Sequence, residues 1–172
     1  IVRVLNTNAV VSSDQEGREL IITGAGIGFK KKKGENLDEA LADKTYYLES
    51  VDDSRRLQEV VKEISEEYLE IVSRIVKTAR EEGLKVRDSL YVTLTDHINS
   101  AVDRYRENIA LKNMMKLEIR KFYPKEYEIG LRAVQWIQEQ NDENLGEDEA
   151  AFIAMHIVSA ELGSGSNVDV NK

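Results

Sequence analysis

The hydrophobic pattern changes period near residue 52. Before that point apolar residues come in short alternating runs. Ile1 to Leu5 (IVRVL) places Ile1, Arg3 and Leu5 on one face and Val2 and Val4 on the other, the two-residue period of a strand. Asn6-Thr7-Asn8 is a turn signal, Ala9 to Ser12 a second short strand, and Asp14 to Gly17 another turn. Glu19 to Thr23 (ELIIT) reads as a third strand and Thr45 to Leu48 as the last. Short strands joined by tight turns predict a small antiparallel sheet. About 50 residues of sheet bury little apolar area alone, so such a sheet needs a partner surface.

From residue 52 onward the period is that of a helix. Leu57, Val60, Val61, Ile64, Tyr68, Ile71, Val72, Ile75 and Val76 form one stripe, with Asp52, Asp53 and Ser54 as N-cap candidates and Gly83 as a C-cap. A break near Ser65 would divide this stretch into two helices. Asp88 or Ser89 opens a helix with Leu90, Leu94, Ile98, Ala101, Val102 and Tyr105 on its inner side. Residues 112–122 form a short helix, and Pro124 suits the first turn of the next, which runs to about Asn141 and carries Ile129, Ala133, Trp136 and Ile137. Glu147-Asp148-Glu149 complement the N-terminal dipole of a last helix ending near Leu162. The expectation is five helices, or four, in one bundle. The fold class is α+β: a small antiparallel sheet, then an all-α five-helix bundle. Domains are expected over 1–52 and 53–163, with 164–172 a linker or tail.

Composition narrows the picture. The 172 residues are 41% apolar and 33% charged, which suits a globular chain of one domain or two small ones. No run approaches about 18 apolar residues, so no membrane span is expected. IVRVLNTNAVV has no basic region followed by a long apolar one, and does not read as a signal peptide. Zero cysteines exclude disulfides, thiolate catalysis and every Cys-bearing metal site. The net charge of −8 is unevenly spread. Residues 1–34 hold six basic and three acidic side chains, a net of +3, and the rest hold 18 basic and 29 acidic, a net of −11. A basic end on an acidic body suggests two modules with different partners.

Two segments carry candidate chemistry. Gly24-Ala25-Gly26-Ile27-Gly28 precedes Phe29 and four lysines. In this segment no Ser or Thr follows a lysine as a phosphate loop requires, and Phe29 stands where a dinucleotide fingerprint needs glycine. The segment reads better as a strand edge whose small residues admit a close backbone. Phe29 then offers a stacking face, and Lys30 to Lys33 offer phosphate contacts. The same lysines also suit a solvated hairpin edge that discourages aggregation. His97, in TDHI, lies on the flank of its helix's inner face, and His156, in AMHIV, lies on a helix apolar almost all round. Each could be a satisfied core histidine, a metal ligand, a base or a phosphoryl acceptor. Two histidines make a poor zinc set, even with an oxygen from Asp96 or Glu149.

LNTNAVV, TGAGIGFKKKKG, LTDHINSAV, LKN, FYPKEYEIG and DEAAFIAMHIVSAEL occur in this order. In combination they resemble the bacterial transcriptional antiterminators of the beta-glucoside and sucrose operon type, over nearly the whole chain. That resemblance implies a four-stranded co-antiterminator RNA-binding domain acting as a homodimer, then the first of two phosphotransferase-system regulation domains. It implies a cytoplasmic protein, without enzymatic activity, cofactor or membrane insertion, that binds an RNA hairpin overlapping a terminator. RNA contacts carry over to Arg3, Asn8, Gly24, Gly26 and Phe29, with Lys30 and Lys31 adjacent, while Ala25 stands where some members carry arginine. The phosphorylated histidines carry over to His97 and His156, with Asp96 in the same motif. The implied phosphoryl donors are a sugar-specific permease component of the phosphotransferase system and the histidine-containing phosphocarrier protein. The competing reading is a phosphohistidine carrier with no RNA role, which would have no need of the glycine–lysine segment.

Overall fold

The computed structural model describes the backbone of residues 1–170 and the side chains of residues 1–161. The chain divides into two compact units, Ile1–Glu67 and Tyr68–Lys172.

In the first unit, β1 (Arg3–Asn6), β2 (Ala9–Ser13), β3 (Glu19–Thr23) and β4 (Lys44–Tyr46) form one sheet in the order β1-β2-β3-β4. Every neighbouring pair is antiparallel. The register fixes what each face presents. Arg3, Val11, Ile21 and Tyr46 are paired in one row, and Val4, Val10, Ile22 and Thr45 in the next, pointing the opposite way. The first face meets helix α1 (Val51–Glu63), which packs on β1 and β3 and buries Leu57, Gln58 and Val61. On the second face Val10 and Ile22 pack with Ile27, flanked by Ile1, Val4, Leu20 and Leu37. The chain that follows β3 therefore folds back over its own sheet. The partner surface that so small a sheet requires is supplied on both sides within the unit.

Several local expectations shift. The N-cap of α1 is Ser50, whose Oγ accepts from the Asp53 amide at 3.2 Å, rather than any of residues 52–54. The glycine-rich segment is no strand edge but a series of turns, and a short 3-10 helix at Glu39–Leu41 precedes β4. The break near Ser65 is present, between α1 and α2 (Glu66–Glu81). Among the described residues there are six α-helices, where five, or four, are expected. The first belongs with the sheet, because its apolar side covers strands.

The second unit contains most of α2, then α3 (Ser89–Arg106), α4 (Lys116–Phe122), α5 (Pro124–Asn141) and α6 (Glu147–Val170). Its core is aliphatic: Leu69, Ile75, Leu90, Leu94, Ile98, Ile129, Ile137, Ile153 and Ile157 are fully buried. Tyr105, expected inward, is 42% exposed at the end of α3. Trp136 is only half-buried and lies between two cations, with Arg74 Cζ 4.1 Å and Arg132 Cζ 5.6 Å from its ring centre. The tightest approach is between α5 and α6: a Cβ on Gly130 would lie 2.2 Å from the Ala150 carbonyl oxygen. Only glycine lets the two backbones come so close. α6 continues past Leu162, where the sequence ends it. No proline stops it, and a glycine inside a helix costs only about 1 kcal/mol relative to alanine. The expected tail at 164–172 is covered by this helix as far as Val170, and its side chains and last two residues lie outside the described residues.

One polar network ties α1 to the sheet. Glu19 accepts from Arg3 Nη1 at 3.0 Å, from Gln58 Nε2 at 3.0 Å and from Arg55 Nε at 2.9 Å. The Arg3 bond first, then those of Gln58 and Arg55, hold the Glu19 carboxyl at about 2, against a desolvation cost that pulls the other way. A carboxyl depressed in the folded state stabilises above its unfolded pKa, near 4.5, and loses that contribution as pH falls toward 2. Glu19→Gln is expected to cost about 1–2 kcal/mol at pH 7, a value reduced for solvent screening. The difference from the parent should vanish in thermal melts between pH 5 and pH 2.

Candidate functional site

The first candidate surface is the turn region after β3. Its backbone is bonded at nearly every step. The Gly24 amide donates to Asn8 O at 3.0 Å, Ile27 to Gly24 O at 3.1 Å, Gly28 to Thr7 O at 2.8 Å and Phe29 to Gly26 O at 3.0 Å. Asn8 is the organiser. Its Oδ1 accepts from the Gly26 amide at 2.9 Å, and its Nδ2 donates to Glu66 Oε1 at 3.2 Å. The glycines are needed for two different reasons. Gly26 has φ +78°, and a Cβ on Gly24 would sit 1.8 Å from the Leu41 carbonyl oxygen.

This framework holds Phe29 out into solvent with 58% of its surface exposed. Lys30 Nζ lies 5.4 Å from the Phe29 ring centre, and the Lys30 backbone takes φ +56°, a rare conformation for a side-chain-bearing residue. Lys31 is half-buried and donates to Asn36 O at 3.3 Å, while Lys32 and Lys33 are exposed. Of the residues singled out in the sequence, Asn8, Gly24 and Gly26 thus shape the loop, and Phe29, Lys30 and Lys31 stand on it. Arg3 is elsewhere. It lies on the face covered by α1, where Nη1 donates to Glu19 and, at 2.8 Å, to Gln58 Oε1.

The second candidate site lies where α3 meets α6. The rings of His97 and His156 have centres 4.6 Å apart, and Phe152 packs 5.9 Å from His97. His97 Nε2 bonds Glu149 Oε1, and the other Glu149 oxygen, Oε2, faces Arg104 Nη2 at 3.8 Å. Glu149 is buried. Beside the pair opens a cleft of about 350 Å³ lined by Arg104, Tyr105, Asn108, Asp148 and Glu149, among others. Burial, then the nearby His97, lower the His156 pKa to about 4, against an opposing pull from Glu149. His156 is therefore neutral at pH 7 and keeps a nucleophilic lone pair on one ring nitrogen. With Nε2–H of His97 donating to Glu149, the lone pair of a neutral His97 sits on Nδ1. Asp96 is exposed on α3 and is not the partner of His97. Among the described residues no group of three or more His, Cys, Asp or Glu is arranged to hold a metal ion. No described helix is long and apolar enough to cross a membrane.

Sequence reasoning named Asp96 and Glu149 as possible oxygens near the histidines without choosing between them, and it passed over Arg104. The signal was present in the spacing. Arg104 follows His97 by seven residues, and Glu149 precedes His156 by seven. Two turns of helix put each pair on one face.

Comparison with known proteins matches both parts of the chain. The family described as CAT RNA binding domain matches residues 1–55, and the PRD domain matches residues 69–160. Over 165 residues the chain is 38% identical to the beta-glucoside operon antiterminator of Dickeya chrysanthemi, covering 95% of this chain and 58% of that one. It is 37% identical over 163 residues to the transcription antiterminator LicT of Bacillus subtilis, covering 94% and 59%. The chain thus spans about six-tenths of the length of the curated relatives it matches. Among solved structures it superposes on GlcT CAT-PRDI with a TM-score of 0.74 at 28% identity, over 92% of this chain and 95% of that one. One match covers the sheet unit and the other the helical unit with its half-buried histidine pair, and the chain belongs to the family in which a CAT RNA binding domain precedes a PRD domain.

Proposed function

We propose that this chain is the RNA-binding and first regulatory portion of a sugar-responsive antiterminator. It acts in the cytoplasm as a homodimer, gripping an RNA hairpin that overlaps a terminator. The observation that carries the reading is Phe29, a 58% exposed aromatic beside Lys30 on a loop whose backbone is fixed by Asn8. RNA specificity usually rests on unpaired bases stacked on such a ring, and lysines supply the phosphate contacts. Asn8, Gly24 and Gly26 keep the loop in the shape that presents Phe29, Lys30 and Lys31, and Arg3 holds the sheet to α1. Self-association is supported by the exposed apolar side chains Met114, Leu117 and Phe122 on and before α4.

Regulation falls to His97 and His156. The phosphoryl donors in this reading are a sugar-specific permease component of the phosphotransferase system and the histidine-containing phosphocarrier. A phosphoryl group adds a charge of about −1.5 to −2. Placed on His97, that charge meets the buried Glu149 carboxylate at contact distance; placed on His156, it lies against the His97 ring beside that carboxylate; in either case the packed α3–α6 arrangement is disfavoured. The RNA-binding form is then lost with the dimer, until sugar transport drains the donor of phosphate.

Binding of the whole chain to a terminator-overlapping hairpin in a mobility-shift assay tests the RNA half. Phe29→Ala should cost about 1–3 kcal/mol of binding. Lys30→Ala should weaken all RNAs alike and reduce the slope of log affinity against log salt by about 0.7. Absence of binding at low salt would refute the reading.

For the regulatory half, His97→Asp places a second carboxylate against Glu149 and should lower both dimer content and RNA affinity. Sedimentation and a terminator-linked reporter, read with and without sugar, supply the measurement. A His97→Asp chain that dimerises and binds as well as the parent would show that added charge is not the switch.

A further inference from the structure

We propose that Arg104 is the phosphoryl-binding residue of the histidine cluster, and that Glu149 occupies the place the phosphoryl group takes. This rests on the reading that His97 is phosphorylated. His97 and Arg104 project from one face of α3, two turns apart, and bracket a single carboxylate: Oε1 on His97 Nε2, Oε2 3.8 Å from Arg104 Nη2. A carboxylate presents two oxygens much as a phosphoryl group does, and a guanidinium fork accepts either. Both anions cannot hold the same position. A phosphoryl group on Nε2 also removes the N–H that Glu149 accepts, so the carboxylate loses one partner and gains a repulsive neighbour. Arg104, 25% accessible and lining the 350 Å³ cleft, is the cation that can leave Glu149 for the new charge. The cleft gives the group room, and Tyr105 and Asn108 line it without adding a negative charge. Asp148 and Glu149 are its acidic walls, and displacement of Glu149 from His97 is the structural consequence of the exchange.

Phosphoramidate serves as a chemical donor for the test. His97 first passes to the Nδ1–H tautomer and gives up its bond to Glu149; the Nε2 lone pair so exposed forms an N–P bond, the P–N bond of the donor breaks, and ammonia leaves with the proton that Nδ1 sheds. On the full chain, mass spectrometry locates the group and the ³¹P resonance reports its surroundings. Arg104→Gln should lower phosphohistidine at His97 about tenfold. It should also raise the midpoint of the ³¹P titration by about one pH unit, because a nearby opposite charge lowers an acid's pKa. Arg104→Lys keeps charge without the fork, and should retain the low midpoint with part of the yield. If the parent gains phosphate at neither His97 nor His156, the proposed regulation fails, and this inference with it. If the parent is modified at His97 and Arg104→Gln leaves yield and midpoint unchanged, the regulation stands and the role of Arg104 is overturned. An equal fall in yield for both variants with an unmoved midpoint likewise overturns it, as the mark of a purely structural residue.

Discussion

A carboxylate buried in an apolar bundle must be paired, and much of the second unit is arranged around that requirement at Glu149. The residue sits in the first turn of α6, one position before Ala150. Gly130 lets α5 approach the Ala150 carbonyl closely, which seats this turn deep in the unit. Glu149 is buried, and α3 brings it a histidine and an arginine from one face. The cluster is balanced at its margin: one buried anion, one cation 3.8 Å away, and two imidazoles, of which His156 is held neutral by burial. Breaking such a pair costs several times what forming it gains, because the surviving charge stays buried. A site so balanced responds sharply to any change of charge.

The first unit obeys a different constraint. A sheet of four short strands cannot bury enough surface by itself, and here both faces are covered by chain that follows directly in sequence. α1 closes one face through Leu57 and Val61, with Gln58 and Arg3 satisfying Glu19 between them. Ile27 closes the other. Because Ile27 is fully buried, the neighbouring Phe29 is held close to the sheet and yet projected outward. The exposed aromatic and lysines are thus mounted on backbone that is anchored from beneath. A preorganised mount lowers the ordering entropy of binding, which a free lysine-rich loop would have to supply.

Reading from sequence succeeded where one period governs. β3, with its strict run ELIIT, and α5, opened by Pro124, have the bounds their patterns give. The histidine helices were legible for the same reason. Failures came where tertiary contact decides. The amphipathic stripe from Leu57 to Val76 is continuous in sequence, but its first part faces strands and the rest faces helices, a distinction invisible to periodicity. Ser50 was missed as an N-cap because three further cap candidates follow it. Arg3 carries over as an RNA contact by resemblance alone, and nothing in the sequence shows that the Glu19 carboxylate that binds it arrives from another strand. The sequence leaves Asp96 and Glu149 as equal candidates beside the histidines, and only the meeting of α3 with α6 picks Glu149 as the partner of His97.

The two candidate sites differ in how much a unit of charge can do. On the first surface the lysines are solvated, and high dielectric and salt reduce each charge to a small energy, so binding needs many contacts acting together. At the histidine pair the rings are half-buried, and the buried Glu149 carboxylate is at contact distance from His97, the ring that would receive a new charge. The same charge therefore counts for more there than at the lysines. Graded, additive recognition belongs on the first kind of surface and an all-or-none response on the second. A single modification drives a two-state change most readily where it meets a buried like charge, and of the two sites only the cluster of His97, His156, Glu149 and Arg104 meets that condition.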